Sequence, residues 1–139
     1  MSPESLHEFA TKYTEAWCSQ DPSRVAGFFA ERGSLKINEA PPAVGQAAIT
    51  SDARAFMDAF PDMVVRMDEV NIVNIEGDRA IFRWTLIGTN TGPGGTGMPV
   101  QISGYEEWMI GPDGLIAESK GHFDEAEYNR QLKSGFGER

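Results

Sequence analysis

The sequence has little cysteine, little histidine and a deficit of positive charge. The single cysteine, Cys18, can form no internal disulfide, which excludes a scaffold stabilised by disulfides within the chain. The two histidines, His7 and His122, stand at no familiar metal-ligand spacing, so we expect no metal site. The chain has 12 Lys and Arg and 21 Asp and Glu, which gives a net charge of -9. This charge opposes binding to the phosphate backbone of nucleic acids and to anionic membranes. We therefore expect no nucleic-acid partner and no membrane partner.

Long apolar runs are also missing. No run reaches the roughly 20 residues that a membrane-spanning helix needs, and residues 1–10 lack the features of a signal peptide. We expect a cytoplasmic protein. The 139 residues, 40% hydrophobic and 24% charged, suit one globular domain over 1–139 without linker or repeat.

Apolar residues recur at helical spacing in three segments of the first half of the chain. The predicted helices are residues 3–20, 22–30 and 46–60. The second of them is expected to carry Phe28 and Phe29 on its apolar face. A short extended piece is expected at 34–38.

From residue 63 onward the pattern changes to the two-residue period of strands. The predicted strands are 63–75, 79–90, 98–110 and 115–123. Asp124 and Glu127 have the spacing of a helix start, which predicts a short helix to 133 and a frayed tail over 134–139. The fold class is α+β: three N-terminal helices packed on a curved, mainly antiparallel sheet, with a short C-terminal helix.

Alternation along the predicted strands separates an inner from an outer face of the sheet. On 79–90 the face that carries Trp84 is the better inner face, and on 98–110 the inner face carries Glu106 and Trp108. A carboxylate on an apolar face needs hydrogen bonds or a raised pKa. Glu106 is therefore either a functional group in a pocket or a residue near a strand end that reaches water.

The outer face is too apolar for a sheet that faces solvent. Such a surface usually marks an interface, and we expect a homodimer. The residues expected in that interface are Ile81, Ile87, Tyr105, Met109 and Ile116.

Several aromatic and polar side chains either line a pocket or simply pack in the core. Tyr13 and Trp17 lie one helical turn apart and could offer a phenol and an indole N–H to a ligand. The same two interpretations apply to Met57, Phe60, Trp84 and Trp108.

Four stretches of the sequence are similar to one known family: FPDMVVRMDEV, RWTLIGTNTGP, SGYEEWMIGPDGLIAE and the ending RQL. They resemble the SnoaL-like polyketide cyclases of the nuclear-transport-factor-two-like superfamily. The resemblance implies a cone-shaped helix–sheet barrel, a dimer through the outer sheet face, and a hydrophobic pocket. It also implies acid–base chemistry without a cofactor on a carbonyl compound.

Two departures from this family bear on the chemistry. Asn90 stands where relatives commonly have the histidine of a Gly-Thr-His run, and an amide cannot act as a base. Gly121 stands where they often have the aspartate of a His-Trp-Asp run. Glu106 is then the candidate acid–base residue, with Asp124 in reserve, although helix capping is an alternative role for Asp124.

Two functions remain open. In the first, Glu106 transfers a proton on a small hydrophobic ketone whose oxygen is polarised by Tyr13 or Asn38, with Asn90 at the wall. Ketosteroid isomerases share the expected fold and use a first-helix tyrosine that Tyr13 resembles, yet Ile37 stands near the position of their base. In the second, the domain is a non-catalytic ligand-binding or dimerisation module.

Overall fold

The computed structural model of the protein describes residues 1–137 and contains four helices. Their bounds are Pro3–Cys18 (α1), Pro22–Ala26 (α2), Gln46–Ala59 (α3) and Glu125–Ser134 (α4). Hydroxyl and carboxylate caps begin α1 and α2: the Ser2 side chain accepts a hydrogen bond from the Ser5 N–H, and the Asp21 side chain accepts one from the Ser23 N–H. The predicted starts of both helices are confirmed.

Six strands form one mixed sheet. Their bounds are Phe29–Ile37 (β1), Ala43–Val44 (β2), Val64–Ile72 (β3), Arg79–Thr89 (β4), Pro99–Ile110 (β5) and Ile116–Phe123 (β6). The order is β2-β1-β6-β5-β4-β3, and the β1–β6 pair is parallel while the other pairs are antiparallel. The α+β prediction with a mainly antiparallel sheet is confirmed. The sheet is not closed, because β2 and β3 remain its edges.

The predicted second helix is wrong over its last turn. α2 ends at Ala26, and Phe29 already begins β1, opposite Ile116 of β6. The register then shifts between Phe29 and Ser34, so the residues Glu31, Arg32 and Gly33 lie within a bulged strand. Gly33 belongs to this bulge, and a Cβ atom there would lie 2.7 Å from the Ile116 carbonyl oxygen.

Aromatic side chains of α1 and the sheet form the centre of the core. The ring of Tyr13 packs edge-on against Phe28, Phe82 and Trp108, at centroid distances of 5.7, 5.4 and 5.2 Å. Phe82 and Trp108 stack at 4.9 Å on neighbouring strands. Full burial of an apolar side chain of this size contributes roughly 1.5–3 kcal/mol, so this cluster holds α1 on the inner face of the sheet.

The predicted inner face is confirmed where the register is regular. Phe82, Glu106 and Trp108 are all buried. Ile116 is the exception, since it was expected outside and is 0% exposed. Between the pairs Met109–Glu118 and Ile110–Ile116 the register shifts, because β6 contains one residue more than β5 there. This bulge inverts the parity and turns Ile116 into the core.

α4 is attached to the sheet through a buried amide. Gln131 is 2% exposed; its Oε1 accepts from the Gln101 N–H at 2.8 Å and its Nε2 donates to the Gln101 carbonyl at 3.0 Å. Beyond the helix, the Phe136 N–H donates to the Pro99 carbonyl at 2.7 Å. The predicted frayed tail is therefore wrong at its start, while residues 138–139 lie outside the described part of the chain.

The cap of α4 gives a first prediction. Asp124 Oδ1 accepts from the Glu127 N–H at 3.0 Å, which confirms the predicted cap. Asp124→Ala should lower the free energy of unfolding by about 1 kcal/mol, whereas Asp124→Asn, which can make the same bond, should change it little. Urea unfolding of the two variants measures this. Equal losses in both would contradict the capping role.

Candidate functional site

A cavity of about 640 Å³, counting the part open to solvent, lies between the inner face of the sheet and helices α1, α3 and α4. Its lining consists of Trp17, Leu35, Ile37, Phe56, Val65, Phe82, Trp84, Leu86, Ile102, Glu106, Gly121, Phe123 and Tyr128. Glu106 is the one charged side chain in this lining as the structure describes it. The site is thus an apolar chamber with a single carboxyl group in its wall.

The two oxygens of the Glu106 carboxyl group have different surroundings. Oε1 accepts hydrogen bonds from Ser119 Oγ at 2.7 Å, Trp108 Nε1 at 2.9 Å and the Tyr13 hydroxyl at 3.0 Å. Oε2 has one longer contact, 3.2 Å, to the same Tyr13 hydroxyl. Because that hydroxyl has one proton to share, Oε2 keeps most of its accepting capacity free.

The three donors come from three elements of the fold. Trp108 stands two residues after Glu106 and therefore on the same face of β5. Ser119 of β6 is the direct partner of Trp108, and Tyr13 comes down from α1. None of the three contributes to the cavity lining, whereas Glu106 does. The three residues therefore hold the carboxyl group through hydrogen bonds without forming part of the cavity wall.

Gly121 of β6 leaves room beside the carboxylate. It is the direct partner of Glu106 in the sheet and lines the cavity. A Cβ atom at this position would lie 3.8 Å from Glu106 Cγ. Glycine here enlarges the chamber next to the only carboxyl group in the described lining.

Burial and hydrogen bonding act in opposite directions on Glu106, which is 7% exposed. Burial raises the pKa of its carboxyl group, the bonds from Trp108, Ser119 and Tyr13 lower it, and the net result lies above the ordinary value of 4.5. Burial, followed by the charge of Glu106, raises the pKa of Tyr13 well above its ordinary range. Tyr13 therefore remains a phenol that donates to the carboxylate.

The structure brings together half of the side chains predicted for the site. Trp17, Trp84 and Glu106 line the cavity, and Tyr13 and Trp108 lie behind it with their donors on Glu106. The expectation that Tyr13 contacts a ligand directly is corrected here. Its ring is 0% exposed and its hydroxyl is directed at the carboxyl group.

Two predicted asparagines have structural contacts instead. Asn38 Oδ1 accepts from the Phe123 N–H at 2.9 Å, which joins the ends of β1 and β6. Asn90 donates from Nδ2 to the Ala59 carbonyl at 3.1 Å and accepts on Oδ1 from the Thr96 N–H at 2.8 Å, which orders the loop before β5. Neither side chain lines the cavity.

The remaining predicted side chains also lie elsewhere. Met57 and Phe60 are core residues, 2% and 0% exposed, because they occupy the inward face at the end of α3. Asp124 is exposed at the start of α4, where it caps the helix. None of the three belongs to the cavity lining.

Sequence reasoning missed several residues of the site. Ser119 had a detectable signal, a hydroxyl on the apolar face that carries Glu106. Leu35 and Ile37 alternate along β1, so their inward position could be predicted only if this segment had been recognised as a strand that lines the cavity. Tyr128 had no local signal, because its position depends on the docking of α4 through Gln131.

Residues 1–137 contain neither a metal-type cluster nor a helix of the membrane-spanning kind. No cluster of three or more His, Cys, Asp or Glu side chains in this part of the chain is arranged to hold a metal ion. No helix within the same residues is long and apolar enough to cross a membrane.

Comparison with known proteins identifies the family. The family model of the SnoaL-like domain matches residues 10–119, which include Tyr13, Glu106, Trp108 and Ser119. A comparison with curated protein sequences gave no significant match.

Solved structures share the fold over nearly the full chain. TsrD from Streptomyces laurentii has a TM-score of 0.80 at 19% identity, covering 95% of this chain and 97% of that one. A protein with a ketosteroid isomerase-like fold from Catenulispora acidiphila, solved with trimethylamine, has a TM-score of 0.79 at 14% identity, covering 95% and 94%. SalBIII is an epoxide hydrolase/cyclase-like enzyme with a role in pyran ring formation in salinomycin. Its structure has a TM-score of 0.75 at 16% identity, covering 91% of this chain and 96% of that one. At these identities the likeness establishes the fold.

The raised pKa of Glu106 makes stability depend on pH. The folded state holds the proton of the Glu106 carboxyl group more tightly than the unfolded chain does. The stabilisation that this proton gives the folded state is complete below about pH 4.5 and is lost as pH rises through the folded-state pKa. The free energy of unfolding of the wild type minus that of Glu106→Gln should therefore fall as pH rises, and then level off. Urea unfolding between about pH 4 and pH 8 measures the difference. A difference that grows with pH would contradict the assignment.

Proposed function

Because the chain belongs to the SnoaL-like domain family, we propose that its cavity binds a hydrophobic carbonyl compound and that Glu106 moves a proton on it, as in a cyclase or isomerase. The observation that carries the proposal is the position of Glu106: a buried carboxyl group in an apolar wall, with its hydrogen bonds concentrated on one oxygen. The chemistry uses the side chain's own oxygen and calls for no cofactor.

The free oxygen, Oε2, is the proposed proton acceptor. Three donors on Oε1 hold the carboxyl group in one orientation, so a bound ligand meets a preorganised base. Tyr13, Trp108 and Ser119 are positioning residues in this scheme. They act on the ligand only through Glu106.

The raised pKa of Glu106 suits this role. A general base works best when its pKa lies near the working pH, and burial moves the carboxyl group in that direction from 4.5. Burial alone would favour the neutral acid, which cannot accept a proton. The three hydrogen bonds act against that effect, because they lower the pKa of the carboxyl group.

The proposed step breaks one C–H bond and forms one O–H bond. A proton leaves the carbon next to the carbonyl group for Glu106 Oε2, and the C–H electron pair moves into the enolate. In a β,γ-unsaturated ketone the electron pair extends to the γ carbon, and return of the proton from Glu106 to that carbon isomerises the ketone. In a diketone the enolate carbon attacks the second carbonyl of the same molecule, and the alkoxide that forms takes the proton back from Glu106, which completes a cyclisation. The apolar walls from Trp17, Trp84 and Phe82 exclude water from the intermediate.

A non-catalytic binding module is the second candidate. Asn90 is engaged in its loop and Gly121 has no side chain, so the two polar groups common in this family are absent from the described lining. Glu106 would then orient a ligand by accepting a hydrogen bond from its hydroxyl or N–H group.

Exchange of an activated carbon-bound proton separates these two functions. The wild type should accelerate incorporation of deuterium at C1 of 2-tetralone, a small apolar ketone, in D₂O, as followed by NMR. Glu106→Gln should lower this rate by roughly 10²-fold or more, since it keeps the shape and removes the base. Glu107→Gln is the matched control: it removes the neighbouring carboxylate, which is exposed and contacts His122. Binding without exchange by the wild type would favour the binding module.

We also propose that the protein is a homodimer through the outer face of the sheet. Ile81, Ile87, Tyr105 and Met109 are half-buried there, on strands β4 and β5. Light scattering at micromolar concentration should give twice the chain mass, and Ile87→Lys should give the monomer because it places a charge in the apolar interface. A monomer mass for the wild type would overturn this proposal.

A further inference from the structure

A second, more open cleft adjoins the chamber. It lies between α3 and the first turns of α4 and measures about 710 Å³, counting its opening to solvent. Four side chains line both spaces: Ile37, Phe56, Phe123 and Tyr128. We call these four the junction. A ligand that enters the chamber through this cleft passes between them.

Tyr128 is the polar member of the junction. Its hydroxyl has no hydrogen-bond partner among residues 1–137, whereas the Tyr13 hydroxyl is engaged by Glu106. Partial burial raises the pKa of Tyr128, so the group stays protonated and able to donate. A phenol at the mouth of an apolar chamber is thus left available for a ligand.

Packing holds this phenol in place without using its hydroxyl. The ring lies edge-on to Phe123 at 5.4 Å and to Phe60 at 6.4 Å. Its helix is fastened to β5 by the two hydrogen bonds between Gln131 and Gln101. A donor whose position is already ordered loses little conformational entropy when a ligand binds to it.

The charge of the cleft restricts the ligand. Glu125 and Asn129 give the cleft its polar wall, and its described lining contains no Lys or Arg. The chain as a whole carries a net charge of -9. An anionic group such as a carboxylate or phosphate would be repelled at this opening.

We propose that Tyr128 is a second ligand-binding residue and that the ligand extends from Glu106 through the junction toward the outer cleft. The site then takes an elongated molecule without an anionic group, with its enolisable ketone in the chamber and an acceptor oxygen at its outer end. This inference rests on the proposed function of Glu106 for the position of the ketone. It adds the polarity and shape of the end of the ligand that lies near Tyr128.

Two tetralones of the same shape test the contact. The oxygen of 6-methoxy-2-tetralone can accept a hydrogen bond from Tyr128, and 6-ethyl-2-tetralone replaces that oxygen by a methylene group. The ratio of the affinity for the methoxy compound to that for the ethyl compound should be about fivefold lower in Tyr128→Phe than in the wild type. A factor of about five is the contribution of one hydrogen bond to affinity. Titration of tryptophan fluorescence measures both affinities, since Trp17 and Trp84 line the chamber.

Tyr105→Phe is the matched control, because this tyrosine lies on the outer face of the sheet and stacks on His122. Its affinity ratio should equal that of the wild type. Tyr128→Phe keeps the ring and its packing, so the variant should retain the melting temperature of the wild type. An unchanged ratio in Tyr128→Phe, or failure of both tetralones to bind the wild type, would overturn the inference.

The assays separate this inference from the proposed function. If Glu106→Gln loses deuterium exchange and the affinity ratio is unchanged in Tyr128→Phe, the proposed function stands and only the Tyr128 contact is overturned. If the affinity ratio falls in Tyr128→Phe but the wild type does not exchange the proton, the ligand site is supported and catalysis by Glu106 is overturned.

Discussion

The buried carboxyl group of Glu106 is the constraint on which the site depends. Moving an ionised carboxyl group out of water costs several kcal/mol unless protein donors replace the lost hydration. Tyr13, Trp108 and Ser119 supply those donors from α1, β5 and β6. The docking of the first helix and the register of two strands must therefore be correct together. A slip of one residue on β5 would turn Glu106 to the opposite face of the sheet.

The polar groups of the chamber are divided between its two ends. Around Glu106 the donors lie behind the carboxyl group, so the protein satisfies its own buried charge without filling the cavity. At the mouth, the hydroxyl of Tyr128 has no partner within residues 1–137, and aromatic packing alone orders its ring. The other residues of the described lining are hydrophobic side chains and Gly121. This division favours molecules with a hydrophobic body and separated oxygens, which is the chemistry inferred for the ligand.

The sequence predicted the α+β fold and the inner position of Glu106 because alternation survives wherever strand pairing is regular. Prediction failed where pairing is irregular: Phe29 reads equally well as a helix or a strand residue, and the bulge in β6 inverts the parity of Ile116. The supporting contacts were out of reach for another reason. Tyr13 and Glu106 are separated by 93 residues, and no local pattern encodes which side chain meets which across that distance.

The parallel pairing of β1 with β6 has a consequence for how the chain acquires its structure. One strand is near the N-terminus and the other is the last of the sheet, so their hydrogen bonds close a loop that contains most of the sequence. Contacts of such long separation are formed against a large entropy of chain closure and slow the folding of a small domain. On the ribosome, β1 cannot form its parallel pair until β6 has been synthesised. The part of the chamber wall that contains Leu35, Ile37 and Gly121 therefore depends on the last strand of the sheet.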